Sequence, residues 1–179
     1  RPSAAHRLGT NDVGQDILSE IIYGARVSLT VAAGAAAGTV ILAVLVGGVA
    51  GYAGGWVDLL LMRVVDLLLA LPRLPLLILV NAFMGAGLWQ MILTIALLFW
   101  PGTARIIRAQ VQSIRQRGYI KMARSFGGGP FYIFARHILP QIAPLIVFGL
   151  VTSAGRAVAL EAGLAFLGPV SYTHLTLPT

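Results

Sequence analysis

The sequence predicts an all-α membrane protein, a bundle of helices that crosses the bilayer several times. Hydrophobic residues make up 58% of the 179-residue chain and charged residues only 11%, which is too few to cover a conventional solvated surface. The apolar residues fall in runs that match the roughly 20 residues a helix needs to cross hydrocarbon. Most polar residues lie between these runs. Together these observations indicate a polytopic membrane protein.

The apolar runs predict about four spans. They lie at residues 27–50, 57–83, 88–104 and 141–168. Ahead of them, residues 1–26 carry nearly balanced charge and an apolar stripe of helical period, which predicts an interfacial helix outside the membrane. Asp12 and Gln15 have the spacing of a capping box near its start. Glycines four residues apart predict close packing of the first span against other helices. They include Gly34, Gly38, Gly47, Gly51 and Gly55.

Residues 105–140 form the longest polar segment of the chain. Seven of the thirteen Lys and Arg residues fall here, with no Asp or Glu among them. Short basic loops resist translocation across a membrane, so we expect this segment to be cytoplasmic. The third span then enters the cytoplasm, the fourth leaves it, and residues 1–26 lie outside.

The middle of this segment predicts a short amphipathic helix. Its apolar residues recur at i, i+3, i+4 and i+7, and basic residues occupy the opposite side. The apolar face consists of Tyr119, Met122, Ala123 and Phe126, and the basic side of Arg117, Lys121 and Arg124. Residues 127–130 read Gly-Gly-Gly-Pro and predict a sharp stop, because glycine adopts the left-handed C-cap conformation and proline cannot continue the helix.

The spacing of Ala123, Gly127, Leu139 and Pro140 resembles the signature loop of permease subunits of bacterial ABC importers. That loop has the pattern Glu-Ala-Ala, three residues, Gly, nine residues, Ile-x-Leu-Pro. Lys121 and Met122 stand where the pattern has Glu and Ala. The ending Arg-His-Ile-Leu-Pro is similar to the dipeptide, oligopeptide and nickel branch.

Two further stretches carry the same resemblance. HRLGTNDVGQDILSEIIYGARVSL, which starts at His6, resembles the extracytoplasmic entry to the second span of this branch, and GRAVALEAGLAFLG, which ends at Gly168, resembles its last motif. The resemblance covers about residues 6–168. The tail, residues 169–179, has no family wording and is expected to be a truncation or sequence artefact.

The resemblance implies a type I ABC importer permease, of which the chain holds about four of an expected six spans. It implies a cytoplasmic coupling loop that contacts an ATPase. The residues implied in this contact are the apolar face (Tyr119, Met122, Ala123 and Phe126), Gly127, Leu139 and Pro140. The implied partners are a second, homologous permease subunit, two ATP-binding subunits, an extracytoplasmic substrate-binding protein and membrane lipid. The implied cargo is a dipeptide, an oligopeptide or nickel, and the implied location is the bacterial inner membrane.

Ionisable residues inside the predicted spans have two interpretations. Arg63 and Asp66 stand at i, i+3 and could pair on one helical face, while Pro72 and Pro75 bracket Arg73 and predict a kink. Charges at membrane depth face a protein interior or a wet cavity, so these residues are candidates for the translocation pathway. Alternatively, Asp58, Arg63 and Asp66 lie near the cytoplasmic interface and make structural contacts between helices. Glu161 lies roughly 31 Å along the last span from Pro140, where interfacial structure or contact with a docking partner would explain it.

The sequence has no nucleotide-binding motif and no common catalytic motif, so energy for transport would have to come from a partner. It has no phosphate-binding GxxxxGK[ST] loop, no HExxH, no GxSxG and no cysteine. Its histidines, His6, His137 and His174, lack metal-ligand spacing, so we expect no catalytic residue, metal or cofactor. Basic residues beside membrane spans are explained by topology rather than by nucleic acid. The alternative function is an ion-coupled secondary carrier that uses Asp66, Arg73 and Glu161, although the inverted repeats usual in such carriers are not found.

Overall fold

The computed structural model describes residues 8–11, 14–84 and 87–166, which form helices without a β-strand in these ranges. The helices are α1 (Ile17–Ala53), α2 (Gly55–Ala70), α3 (Arg73–Met84), α4 (Leu88–Arg115), α5 (Gly118–Ser125), α6 (Pro130–Ile133) and α7 (Leu139–Phe166). A π-helical turn, Phe134–Ile138, joins α6 to α7. Among the described residues, three helices are long and apolar enough to span a membrane, and α2 with α3 makes up to four. The predicted all-α helix bundle is confirmed.

The first helix is continuous from Ile17 to Ala53. The helix predicted at the end of residues 1–26 is therefore the start of α1 and not a separate helix. The carboxylate of Asp16 accepts a hydrogen bond from the amide of Ser19 at 3.1 Å and caps the helix, so the N-cap is Asp16. Asp12, the predicted cap, lies outside the described residues. Only Gly24 could have weakened the helix here, and one interior glycine costs only about 1 kcal/mol, which packing overrides.

Glycines bring the backbones of α1 and α4 into contact. A β-carbon at Gly47 would overlap the carbonyl oxygen of Ala104, and one at Gly51 would lie 2.7 Å from the carbonyl oxygen of Arg108. The predicted close approach is therefore confirmed at both glycines. Gly55, in contrast, has nothing within 4 Å of its β-position and begins α2 after a turn at Gly54, where φ is +69°.

The predicted second span, residues 57–83, is broken rather than kinked. α2 and α3 meet at an angle of 84°. Pro72 cannot donate to the helix, and a residue before proline avoids helical geometry, so Leu71 is extended with ψ 138°. As a result, Arg73 opens a new helix.

Helices also occupy much of the segment that was predicted as a loop, residues 105–140. α4 runs on to Arg115, since arginine is a good helix former and the end of an apolar run does not end a helix. The last helical stretch begins at Pro130, so Leu139 and Pro140 belong to it. The segment between helices shrinks to residues 116–117 and 126–129.

The larger of two apolar clusters joins these helices at one end of the bundle. Its buried residues are Ala43, Val65, Trp100, Ala104, Ile107, Val111, Ile114, Ile120, Ile133, Ile138 and Ile142. The cluster includes a residue of α5 and residues on both sides of the π-helical turn. It therefore fixes the short helix α5 to the end of the bundle where α1 and α4 terminate.

Candidate functional site

α5 presents only part of its apolar face to the outside. Ile120 is fully buried in the larger cluster, and Ala123 is half-buried against it. Met122 is 60% exposed and Phe126 is 86% exposed, whereas Tyr119 is 40% exposed. The sequence analysis missed Ile120, which anchors the helix and leaves the larger apolar side chains uncovered.

The end of α5 is closed by a Schellman motif. The amide of Gly128 donates to the carbonyl of Ala123, and the amide of Gly127 donates to the carbonyl of Arg124, both at 3.0 Å. Gly127 has φ +83°, the left-handed conformation that the glycine run predicted. The helix end is thus set by backbone hydrogen bonds, which hold the exposed Phe126 at a fixed position.

Side chains of α5 tie it to two other helices. The Arg124 guanidinium donates from Nη2 to the hydroxyl of Tyr52 in α1 at 3.3 Å. Gln141 of α7 donates to the Tyr119 hydroxyl and accepts from Arg117 at 3.0 Å. These contacts link α5 to the end of α1 and to the start of α7.

Beside α5 lies an open pocket of about 460 Å³. It is lined by Ala123, Phe126, Gly127, Gly128, Gly129, Tyr132 and His137. Phe131 next to it is 84% exposed and Tyr132 is 56% exposed. We call the four exposed aromatic side chains, together with Met122, the aromatic surface; the aromatic residues are Tyr119, Phe126, Phe131 and Tyr132. Sequence reasoning missed Phe131 and Tyr132, although two aromatic residues directly after a helix-opening proline were a visible signal.

Interhelical ion pairs join α2 to α4 and overturn the predicted pairing of Arg63 with Asp66. Asp66 pairs with Arg105 instead. Asp58 accepts two hydrogen bonds from the Arg108 guanidinium, and its side chain is only 13% exposed. The partners of both carboxylates lie on α4, and Arg63 has no ion-pair partner among the described residues. Asp58 and Asp66 thus make the structural contacts that one of the two interpretations predicted.

Two arginines from different helices lie against one aromatic ring. The guanidinium carbons of Arg73 and Arg156 each lie 5.5 Å from the centroid of the Phe99 ring. Glu161 is half-buried, and its Oε2 is buried without a hydrogen-bond partner among the described residues. The structure does not bring Glu161 or Asp66 into contact with Arg73. It adds Arg156, which the sequence analysis did not single out.

Residues 43–177 match a family of transport subunits that is described as the binding-protein-dependent transport system inner membrane component. The chain belongs to this family. The matched range covers most of the chain, includes α2 to α7 and continues past Gly168, where the motif resemblance ends. The resemblance to ABC importer permeases that the motifs predicted is confirmed.

Curated relatives agree with this assignment. The chain is 38% identical over 167 residues to the dipeptide transport system permease protein DppC of Bacillus subtilis, and the alignment covers 93% of this chain and 52% of that protein. It is 36% identical to the glutathione transport system permease protein GsiD of Pectobacterium atrosepticum, with 93% and 56% covered. The chain spans about half the length of these relatives. As a member of the family with several span-length helices, it is a multi-pass protein of the bacterial inner membrane.

Proposed function

We propose that the chain forms part of the membrane subunit of an ATP-driven importer and lines a path for small peptides. Support comes from the family assignment and from relatives named for dipeptide and glutathione transport. These names favour a peptide over nickel, the other cargo of the branch. Membership of a family that depends on binding proteins favours this function over the ion-coupled carrier. The partners are a second permease subunit, two ATP-binding subunits and an external binding protein.

In this function α5 is the coupling helix, and the observation that carries the proposal is its split apolar face. Ile120 anchors the helix in the bundle, while Met122 and Phe126 are left exposed on a capped helix end. Exposed apolar side chains on a rigid helix fit the helix-in-groove mode of binding, in which anchors enter a groove of the partner. We assign that groove to the ATP-binding subunit, because the basic segment around α5 is expected on the cytoplasmic side.

The contacts of α5 supply a route for mechanical work. When nucleotide binding closes the two ATP-binding subunits, a push on the aromatic surface reaches α1 through Arg124 and Tyr52, and α7 through Tyr119 and Gln141. The spans then change between inward and outward access. Leu139 and Pro140, at the start of α7, lie where this push enters the bundle.

The test replaces Met122 or Phe126 by aspartate in the full-length permease, assembled with its partner subunits in proteoliposomes. We expect peptide uptake to fall at least tenfold, since one buried hydrophobic anchor contributes about 2 kcal/mol or more to an interface. Membrane insertion should be unchanged because both side chains are exposed. Lys121→Ala, on the same helix but outside the aromatic surface, is the matched control. Normal uptake by Met122→Asp and Phe126→Asp would refute the docking surface.

Orientation needs a separate measurement. Residues 1–179 contain no cysteine, so Gln116→Cys introduces the one thiol of this range between α4 and α5, in a full-length permease from which any other cysteine is removed. We expect a membrane-impermeant maleimide to label it in inside-out vesicles and not in intact cells. Labelling from the outside of intact cells would place the aromatic surface on the wrong side for an ATPase.

A further inference from the structure

Arg73 and Arg156 meet at one aromatic ring, although they belong to different helices. Arg73 opens α3 and Arg156 lies in α7, and each guanidinium carbon is 5.5 Å from the centroid of Phe99 in α4. The two charges are therefore no farther apart than twice that distance, and they repel each other electrostatically. Such proximity of like charges is unfavourable unless an anion lies between or beside them.

The described part of the chain offers no such anion. Neither guanidinium has a hydrogen-bond acceptor or a carboxylate partner within residues 8–11, 14–84 and 87–166. Asp58 and Asp66 are engaged by arginines of α4. Glu161 follows Arg156 by five residues, which turns it roughly 140° around α7. The face of Phe99 stabilises the cations only partly, by about 0.5–2 kcal/mol.

Phe99 lies in the apolar part of α4, roughly 17 Å along the helix from Leu88 and roughly 9 Å before Arg105. An arginine remains charged at any physiological pH, and within a span it faces the protein interior or a water-filled cavity. Arg156 is exposed in this chain, so the site is open on one side.

The break between α2 and α3 adds to the positive potential of this site. Because the chain leaves helical geometry at Leu71 and Pro72, Arg73 stands in the first turn of the twelve-residue helix α3. The N-terminus of a helix carries a partial positive charge and free amides. Broken helices with N-termini directed at an anionic group of the cargo are a recurrent device of transporters.

We propose that Arg73 and Arg156 form a carboxylate-binding site in the translocation path, which takes the C-terminal carboxylate of a peptide. This inference rests on the proposed function as a peptide importer. A carboxylate matches the planar guanidinium in a two-bond geometry, and two arginines on separate helices hold it from two sides. Phe99 supports both guanidinium groups from one ring and leaves their N–H groups available for the ligand.

The experiment compares two probes that differ only in this group, tri-alanine and tri-alanine amide, both radiolabelled. Cells that lack other peptide importers express the full-length permease with its native partners, and uptake is measured for wild type, Arg73→Gln and Arg156→Gln. Arg26→Gln removes a charge from the exposed surface of α1 and is the matched control. The external binding protein is the same in all strains, so its own preference cancels in the comparison.

We expect each of the two variants to lower the ratio of tri-alanine to tri-alanine amide uptake about tenfold, with uptake of the amide preserved. Preserved amide uptake also shows that the variants fold and assemble. An unchanged ratio, or an equal fall for both probes, would overturn the carboxylate site and leave peptide import intact. If wild-type cells take up neither probe, peptide import itself is wrong, and the site falls with it.

Discussion

The guanidinium group of Arg124 lies over the ring of Tyr52, 5.7 Å from its centroid, while Nη2 lies 3.3 Å from the phenol oxygen. This contact joins α5 to the last turn of α1. Arg115, at the end of α4, donates to the carbonyl oxygen of the same tyrosine at 2.6 Å. The Tyr52 ring also packs edge-on against Phe134, with centroids 6.3 Å apart. Four elements of the bundle therefore meet at one residue.

Replacing Tyr52 by alanine should weaken the link between α5 and α1. The change removes a cation–π contact of about 0.5–1 kcal/mol and the packing against Phe134, but it leaves the backbone contact of Arg115 in place. We expect the number of peptides imported per ATP in proteoliposomes to fall several-fold. Tyr52→Phe keeps the ring and is the control. Equal coupling in the Tyr52→Ala and Tyr52→Phe proteins would show that the ring transmits no force.

The two ion pairs between α2 and α4 should contribute unequally to stability. Asp58 is 13% exposed and also accepts a hydrogen bond from Gln112 at 3.0 Å, whereas Asp66 is 45% exposed. Asp58→Asn leaves the partly buried Arg108 charge without its countercharge, and we expect a loss of about 1–3 kcal/mol in the free energy of unfolding. Asp66→Asn should cost less than about 1 kcal/mol, because exposed pairs are screened by water.

Unfolding of the two purified variants in detergent measures this difference. The midpoint temperature of Asp58→Asn should lie clearly below that of Asp66→Asn. High salt should reduce the difference in midpoint temperature between wild type and Asp66→Asn more than the difference between wild type and Asp58→Asn. Identical midpoints for the two variants would contradict the ranking by burial.

A methyl group at Gly47 should separate α1 from α4. Its β-carbon would overlap the carbonyl oxygen of Ala104, and backbone cannot rotate away as a side chain can. We expect Gly47→Ala to lower the free energy of unfolding by about 1–3 kcal/mol. Gly24→Ala, in the same helix, has open space at its β-position and should be neutral or stabilising, because alanine is the better helix former. Equal thermal stability of the two variants would mean that the helices do not touch at Gly47.

Local patterns in the sequence predicted several local features correctly. The apolar runs predicted the helix bundle, and the glycine run predicted the left-handed cap at Gly127. The helical period also placed Met122 and Phe126 on one face of α5. The period could not show which face turns inward, and Ile120, rather than the larger apolar face, is the buried anchor.

Contacts between distant residues could not be predicted in the same way. Asp58 and Arg108 are 50 residues apart, and the sequence around either residue does not indicate the other as its partner. Arg63 and Asp66 are close enough in sequence to suggest a pair, but that pair does not form. The helical content of residues 105–140 was underestimated for a related reason. Hydropathy indicates where a chain is expected to leave the lipid, whereas the backbone of α4 remains helical to Arg115.

The touching backbones of α1 and α4 at Gly47 and Gly51 leave no layer of side chains between them that could repack or slide. We therefore expect α1 and α4 to move as one rigid unit. We expect the bundle to bend at Leu71 and Pro72, where helical hydrogen bonding is already broken, so that α3, with Arg73 at its start, changes its angle to that unit.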